Sequence, residues 1–170
     1  IPIYSEYEKA ENERKTHAFI NAVAGTLITI LFIFTVLILI FAPAFIFLFA
    51  PGFYFDPFKQ DISVTVLRIM FPYLSLISLV AFAGGIQNSH NKFSVPAYTP
   101  VIFNLCLIVA AILIAPMYEM PIFVLAWGVL LAGILQLLIQ ILPLWQIKRL
   151  PVPKINFKNS GLRRFLKLVA

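Results

Sequence analysis

Carboxylates are scarce in this sequence. Asp and Glu total seven in 170 residues, and none falls inside a long apolar run; Asp61 stands at the edge of one. Histidine occurs twice, at His17 and His90, and cysteine once, at Cys106. A single thiol excludes an intrachain disulfide and is silent on redox compartment. No His, Cys or carboxylate cluster has metal-ligand spacing, and neither a P-loop nor a GxSxG turn is present. An intramembrane hydrolase or a proton relay needs more ionisable groups than this, so no catalytic residue, metal or cofactor is expected. No signal peptide is visible at the start, where Ile1 opens a charged stretch. The last residues read as a helix that stops at Ala170. The expectation is a piece of a larger protein.

What the sequence does have is apolar surface. Hydrophobic residues make up 61% and charged residues 12%, against about 45–50% and about 25% in an ordinary soluble domain. The mean hydropathy is +0.95, and there are 17 Phe. So short a chain cannot hide that surface in a water-soluble core, so the bilayer is part of its solvent. Four runs are long enough to span it, at about residues 17–49, 62–88, 97–115 and 122–147. The runs are continuously apolar rather than alternating, which excludes a β-barrel and leaves helices. The connections "APGFYFDPFKQD", "NSHNKFSVP" and "APMYEMP" are short and rich in helix breakers. The expected fold is an all-α integral membrane protein in one transmembrane segment: four spans in two hairpins, then a basic tail over 148–170.

Charge placement sets the expected orientation. The net charge is +6, but its position argues for lipid headgroups and topology control, not nucleic acid. Seven of the 13 Lys and Arg lie in the tail, and Lys9, Arg14 and Lys15 precede the first span. Lys59 stands in the first loop and Lys92 in the second. With both ends and the second loop in the cytoplasm, eleven lie inside, one outside, and Arg68 within a span. Both ends are therefore expected in the cytoplasm of a multi-pass protein. In the tail, Leu162, Phe165, Leu166 and Val169 fall on one helical face, with Ser160 placed to cap it and Arg163, Arg164 and Lys167 elsewhere on the surface. That pattern predicts an interfacial helix or the start of a fifth span.

The polar residues inside the spans are the candidate functional groups. Asp61, Thr65, Arg68, Pro72 and Ser75 are spaced by four, three, four and three residues, which places them on one helical stripe. Such a stripe lines a wet cavity, or else Arg68 snorkels to the outer interface. Pro72 predicts a kink, either a static one or a bending point. Gly84 and Gly85 allow close helix packing or a hinge. Asn21, Gly25 and Thr29 on the first span, and Gly128, Ala132, Gln136 and Gln140 on the fourth, recur every four residues, mostly as packing and hydrogen-bonding faces and in smaller part as cavity lining. Asn104 stands alone on the third span as a further cavity-lining candidate, and Pro96 and Pro100 mark its entry as hinge or packing candidates.

Several stretches together carry a family likeness. "IPIYSEY", "LFAPGF", "LRIMFPYLSLISLVAFAGGIQNSHNKFSVPAYTPVIFNL" and "GLRRFLKL" resemble the MurJ (MviN) lipid II flippase family, of the multidrug/oligosaccharidyl-lipid/polysaccharide exporter superfamily. The resemblance runs through essentially the whole chain in order, and the block over residues 68–104 is its most specific part. It implies about fourteen helices in two lobes around a cationic cavity, of which this chain is most of the N-terminal lobe without its first helix. It also implies alternating-access transport of undecaprenyl-linked peptidoglycan precursor across a bacterial inner membrane. The implied partners are that precursor, membrane lipids and the helices absent here, several of which carry important cavity arginines and carboxylates. Two alternatives stand beside it: another exporter of the superfamily, for drugs or polysaccharides, and a non-transport membrane subunit such as a scaffold or a lipid enzyme.

Overall fold

The computed structural model describes residues 13–153, with side chains from residue 16 onward. The amphipathic stretch expected after Ser160, and the charges at Lys9, Arg14 and Lys15, fall outside what is described. Seven α-helices and no strand make up the described residues. They are α1 (Glu13–Ile40), α2 (Ala42–Phe49), α3 (Pro51–Tyr54), α4 (Pro57–Met70), α5 (Pro72–Ser89), α6 (Ser94–Val109) and α7 (Pro121–Gln146). Among the described residues, four helical segments are long and apolar enough to cross a membrane: Thr16–Ile40, Pro57–Ser89, Ser94–Met117 and Pro121–Gln146.

Proline writes most of the boundaries. The first apolar run, which the sequence presents as one segment over 17–49, is cut after Ile40 into α1 and α2. Pro43 cannot donate the hydrogen bond that would carry the helix through, and α1 ends where that donor is missing. Helices α2, α3, α4, α5 and α7 each have a proline in their first two positions, where no intrahelical donor is needed. Asp56 caps α4, its Oδ1 accepting from the Phe58 and Lys59 amides at 3.1 and 3.2 Å. Helix α6 starts at Ser94, so Pro96 sits in its first turn and Pro100 within it. It continues into a π-helical stretch, Ala110–Ile114, and a 3-10 turn, Ala115–Met117.

Helix α7 is the centre of the bundle and packs on α4, α5 and α6. Its small residues set the spacing. A Cβ on Gly128 would lie 2.9 Å from the Ala110 Cβ of the π stretch, and one on Gly133 would lie 2.8 Å from the Tyr73 ring on α5. Gly84 of α5 is buried against Pro96, 3.4 Å from where a Cβ would stand. This is the packing role that a small residue plays between helices in lipid.

One end of the bundle is tightly closed. Phe19, Ile20, Ala22 and Val23 from the start of α1 form a buried cluster with Ala83 and Ile86 from the end of α5 and Leu144 from the end of α7. The chain leaving α7 returns to the same end, where the Val152 amide donates to Asn21 Oδ1 at 2.8 Å. The start of α1 and the end of α7 therefore share one face of the bundle. Both chain reversals at this end use the same device. After α5, Asn91 takes φ 57°, and the amides of Asn91 and Lys92 return to the Asn88 and Gln87 carbonyls. After α7, Lys148 takes φ 53°, and the amides of Lys148 and Arg149 return to Trp145 and Leu144. Each is a Schellman cap, which satisfies orphan carbonyls at a helix end.

Candidate functional site

The stripe on α4 and α5 is where the structure is most informative. Phe71 interrupts the 33-residue segment Pro57–Ser89. Pro72 follows it and leaves the Arg68 carbonyl without its usual i+4 donor. Arg68 is exposed and lies in the last turn of α4. Its Nε–H donates to the Leu39 carbonyl, in the last turn of α1, at 3.1 Å. Two turns along, Ser75 Oγ lies 2.6 Å from Thr35 Oγ1 and 3.4 Å from the Leu31 carbonyl. The Phe34 and Phe71 rings meet between these contacts, with centroids 5.7 Å apart.

The five stripe residues therefore divide. Arg68 and Ser75 both reach α1, so this part of the stripe is an interhelical seam. Thr65 is half-buried and Asp61 exposed, and neither has a hydrogen bond or ion pair among the described residues. Pro72 marks the break itself. Asn104 is brought to none of them: it is exposed on α6, which packs on α5 and α7. Of the small and kinking residues, Gly84 is buried, Gly85 and Pro96 half-buried, and Pro100 exposed.

A second polar arrangement lies toward the closed end. Gln87, Thr99, Gln136 and Gln140 are all buried. Gln87 Nε2 donates to Gln140 Oε1, Gln136 Nε2 donates to the Thr99 carbonyl at 2.8 Å, and Gln140 Nε2 approaches Thr99 Oγ1 at 3.4 Å. Thr99 Oγ1 in turn donates to the Val95 carbonyl at 3.2 Å. The chain of amides ties α5, α6 and α7 together, as polar side chains do between helices in a membrane. The four-residue spacing of Gln136 and Gln140 made them visible as packing residues. Gln87 and Thr99 carried no such signal, because their partners are 53 and 37 residues away.

Electrostatics sharpen the loop that enters α4. Lys59 Nζ sits 3.0 Å from Asp56 Oδ2, and this ammonium, with the Lys59 amide, holds the Asp56 carboxyl below its ordinary value. Among the described residues, two of the grooves that open on the bundle are apolar. One, of about 880 Å³, runs between the end of α6 and α7 past Met117, Trp127 and Leu131. The other, of about 650 Å³, lies between α2, α4 and α5 beside Phe53, Val66 and Phe71. Hydrocarbon suits both linings, whether from an acyl chain or a neighbouring helix.

The family described as lipid II flippase MurJ matches residues 1–170, the whole chain. The chain belongs to that family. A "Probable lipid II flippase MurJ" of Buchnera aphidicola subsp. Acyrthosiphon pisum is 38% identical over 98% of this chain and 33% of its own length. The "Lipid II flippase MurJ" of Burkholderia cenocepacia is 33% identical over 98% of the chain and 33% of its own length. The corresponding protein of Haemophilus influenzae is 34% identical over 99% of the chain and 34% of its length. The chain thus spans about a third of the length of the MurJ relatives it matches.

Proposed function

We propose that this chain is part of a transporter that carries the lipid-linked peptidoglycan precursor lipid II from the cytoplasmic to the outer leaflet by alternating access. The observation that carries the reading is the family match over residues 1–170. The relatives are named as flippases, which favours movement of a substrate over chemistry on it, and no cofactor is invoked. Because the chain spans a third of those relatives, the rest of the substrate path is assigned to helices beyond it, on the other lobe. The bacterial inner membrane is the proposed location, with both ends of the chain cytoplasmic. Support comes from the eleven-to-one split of Lys and Arg and from the shared face of the α1 start and the α7 end.

Within this chain the proposed polar wall is Asp61, Thr65 and Arg68, with Ser75 drawn into the seam with α1. The Arg68 Nη groups have no protein partner among the described residues. They are free to meet a pyrophosphate, and the interaction works mainly through charge at an exposed site. Asn104, a lone exposed amide on an apolar helix, is assigned to a contact with the missing helices. The test is binding of undecaprenyl pyrophosphate-linked disaccharide-peptide to the native protein in detergent, followed by intact-complex mass spectrometry. The reading predicts that the precursor is retained while hydrophobic drug cations and undecaprenyl-linked polysaccharide units are not. Preferential retention of a drug or polysaccharide lipid would move the protein to another branch of the exporter superfamily.

A further inference from the structure

Two neighbouring helices are interrupted by proline, and an arginine in the turn before the second interruption donates to a carbonyl left open by the first. In a continuous helix the Leu39 carbonyl would accept from residue 43. Residue 43 is proline, so that carbonyl is orphaned. Arg68 Nε–H, 29 residues away, supplies the missing donor at 3.1 Å. Arg68 also lies in the last turn of its own helix, α4, whose ladder Pro72 cuts in the same way. Each helix C-terminus carries the negative end of a macrodipole, equivalent to about half an elementary charge. A guanidinium against the C-terminal end of α1 is favourably placed even in a membrane, where an unpaired cation is costly.

The break decides what happens to the next elements. Helix α2 packs mainly on α3 and α4, and α3 on α2 and α4; neither rests on α6 or α7 to any comparable extent. Their apolar side chains are exposed, with Leu48 at 70% and Phe49 and Phe55 at 75%. The direction of this elbow therefore depends on its packing against α4 and on how its root, the end of α1, is joined to α4. We infer that Arg68 is a positioning residue that pins the proline-broken end of α1 to the proline-broken end of α4, and so sets the angle at which the α2–α3 elbow leaves the bundle. The pin uses one of the five guanidinium N–H groups and leaves the others to the cavity. This deepens the reading of Arg68 as a cavity cation, but the pin itself is a property of the fold and holds whether or not the protein moves lipid.

The experiment reads the elbow directly. Spin labels are placed at Leu48 on α2 and Leu138 on α7 in the native protein, with Cys106 replaced by Ser, in lipid nanodiscs. Both positions are exposed. Pulsed electron-electron resonance gives the distance distribution. The inference predicts a single narrow distribution for Arg68, a markedly broader one for Arg68→Leu, and a shifted mean for Pro43→Ala, which restores the donor to Leu39 and lets α1 run on. A distribution for Arg68→Leu that superimposes on the native one overturns the inference. If Arg68→Leu does not fold in the native background, the pair is read as a cycle. Arg68→Leu should then be better tolerated alongside Pro43→Ala, in folded yield and thermal midpoint, because Leu39 no longer needs the arginine. Equal loss in both backgrounds overturns the inference as well.

Discussion

Lys148 holds a backbone conformation that its side chain does not favour. Its φ of 53° is in the left-handed region, where a residue with a Cβ loses about 1–2 kcal/mol. Asn91, in the equivalent place after α5, tolerates that region through its short polar side chain. Lys148 is exposed, and its charge near a helix C-terminus returns about 0.3–1 kcal/mol. The balance predicts that Lys148→Gly raises the stability of the α7 end by about 0.5–1 kcal/mol, while Asn91→Gly changes little. Thermal midpoints in detergent check both, and a fall on Lys148→Gly would mean that its charge outweighs its strain. Asp56 gives a pH prediction. Its folded-state value is held below the ordinary 3.8, first by Lys59. A depressed carboxylate stabilises above its unfolded value and loses that contribution as pH falls through the folded one. Protection of the Phe58 and Lys59 amides, corrected for intrinsic exchange, should therefore be level at neutral pH and decline only below about pH 4. Asp56→Ala should remove it at every pH.

Among the elements, α7 sets the tolerances. Gly133→Ala places a methyl 2.8 Å from the Tyr73 ring and 3.2 Å from the Leu76 Cβ, and Gly128→Ala places one 2.9 Å from the Ala110 Cβ. Overpacking costs about 1–3 kcal/mol and outweighs the ~1 kcal/mol of helix propensity that alanine adds. Both changes should lower the thermal midpoint. Gly52→Ala on α3 meets nothing within 4 Å and should leave it level or raised. Much of this architecture is legible in the sequence because lipid leaves few choices: long apolar runs must become helices, and the face at Gly128, Ala132, Gln136 and Gln140 repeats every four residues. The split of the first run is harder to see. Pro43 sits in an unbroken apolar stretch, and its consequence, an orphan carbonyl at Leu39, is resolved by Arg68 from another helix. Periodicity likewise puts Ser75 and Arg68 on one line, but not the fact that the line meets α1. Long-range partners such as Gln87 and Thr99 are hidden for the same reason, since local pattern carries no record of contacts 30 to 50 residues apart.

At the scale of the whole molecule, the predictions follow from the proposed orientation and from the third of its relatives' length that the chain spans. Single cysteines at Lys59 and Glu119, in a Cys106→Ser background, should react with a membrane-impermeant thiol reagent from outside, and one at Lys92 should not. Outside labelling at Lys92 would reverse the topology. On the proposed reading one lobe supplies one wall of a path that opens alternately to either side, and residues 1–170 alone should then insert without translocating lipid. The direct test of the central claim is a chimera in which this chain replaces the matching third of the Burkholderia cenocepacia MurJ. It would be reconstituted in liposomes with a fluorescent undecaprenyl pyrophosphate-linked disaccharide-peptide and compared with residues 1–170 and with empty liposomes. The account predicts translocation by the chimera at a rate within about tenfold of the parent, a difference of about 1.4 kcal/mol in barrier, and none above background by residues 1–170. A chimera that inserts and folds but moves no substrate, or an isolated chain that does, would contradict it.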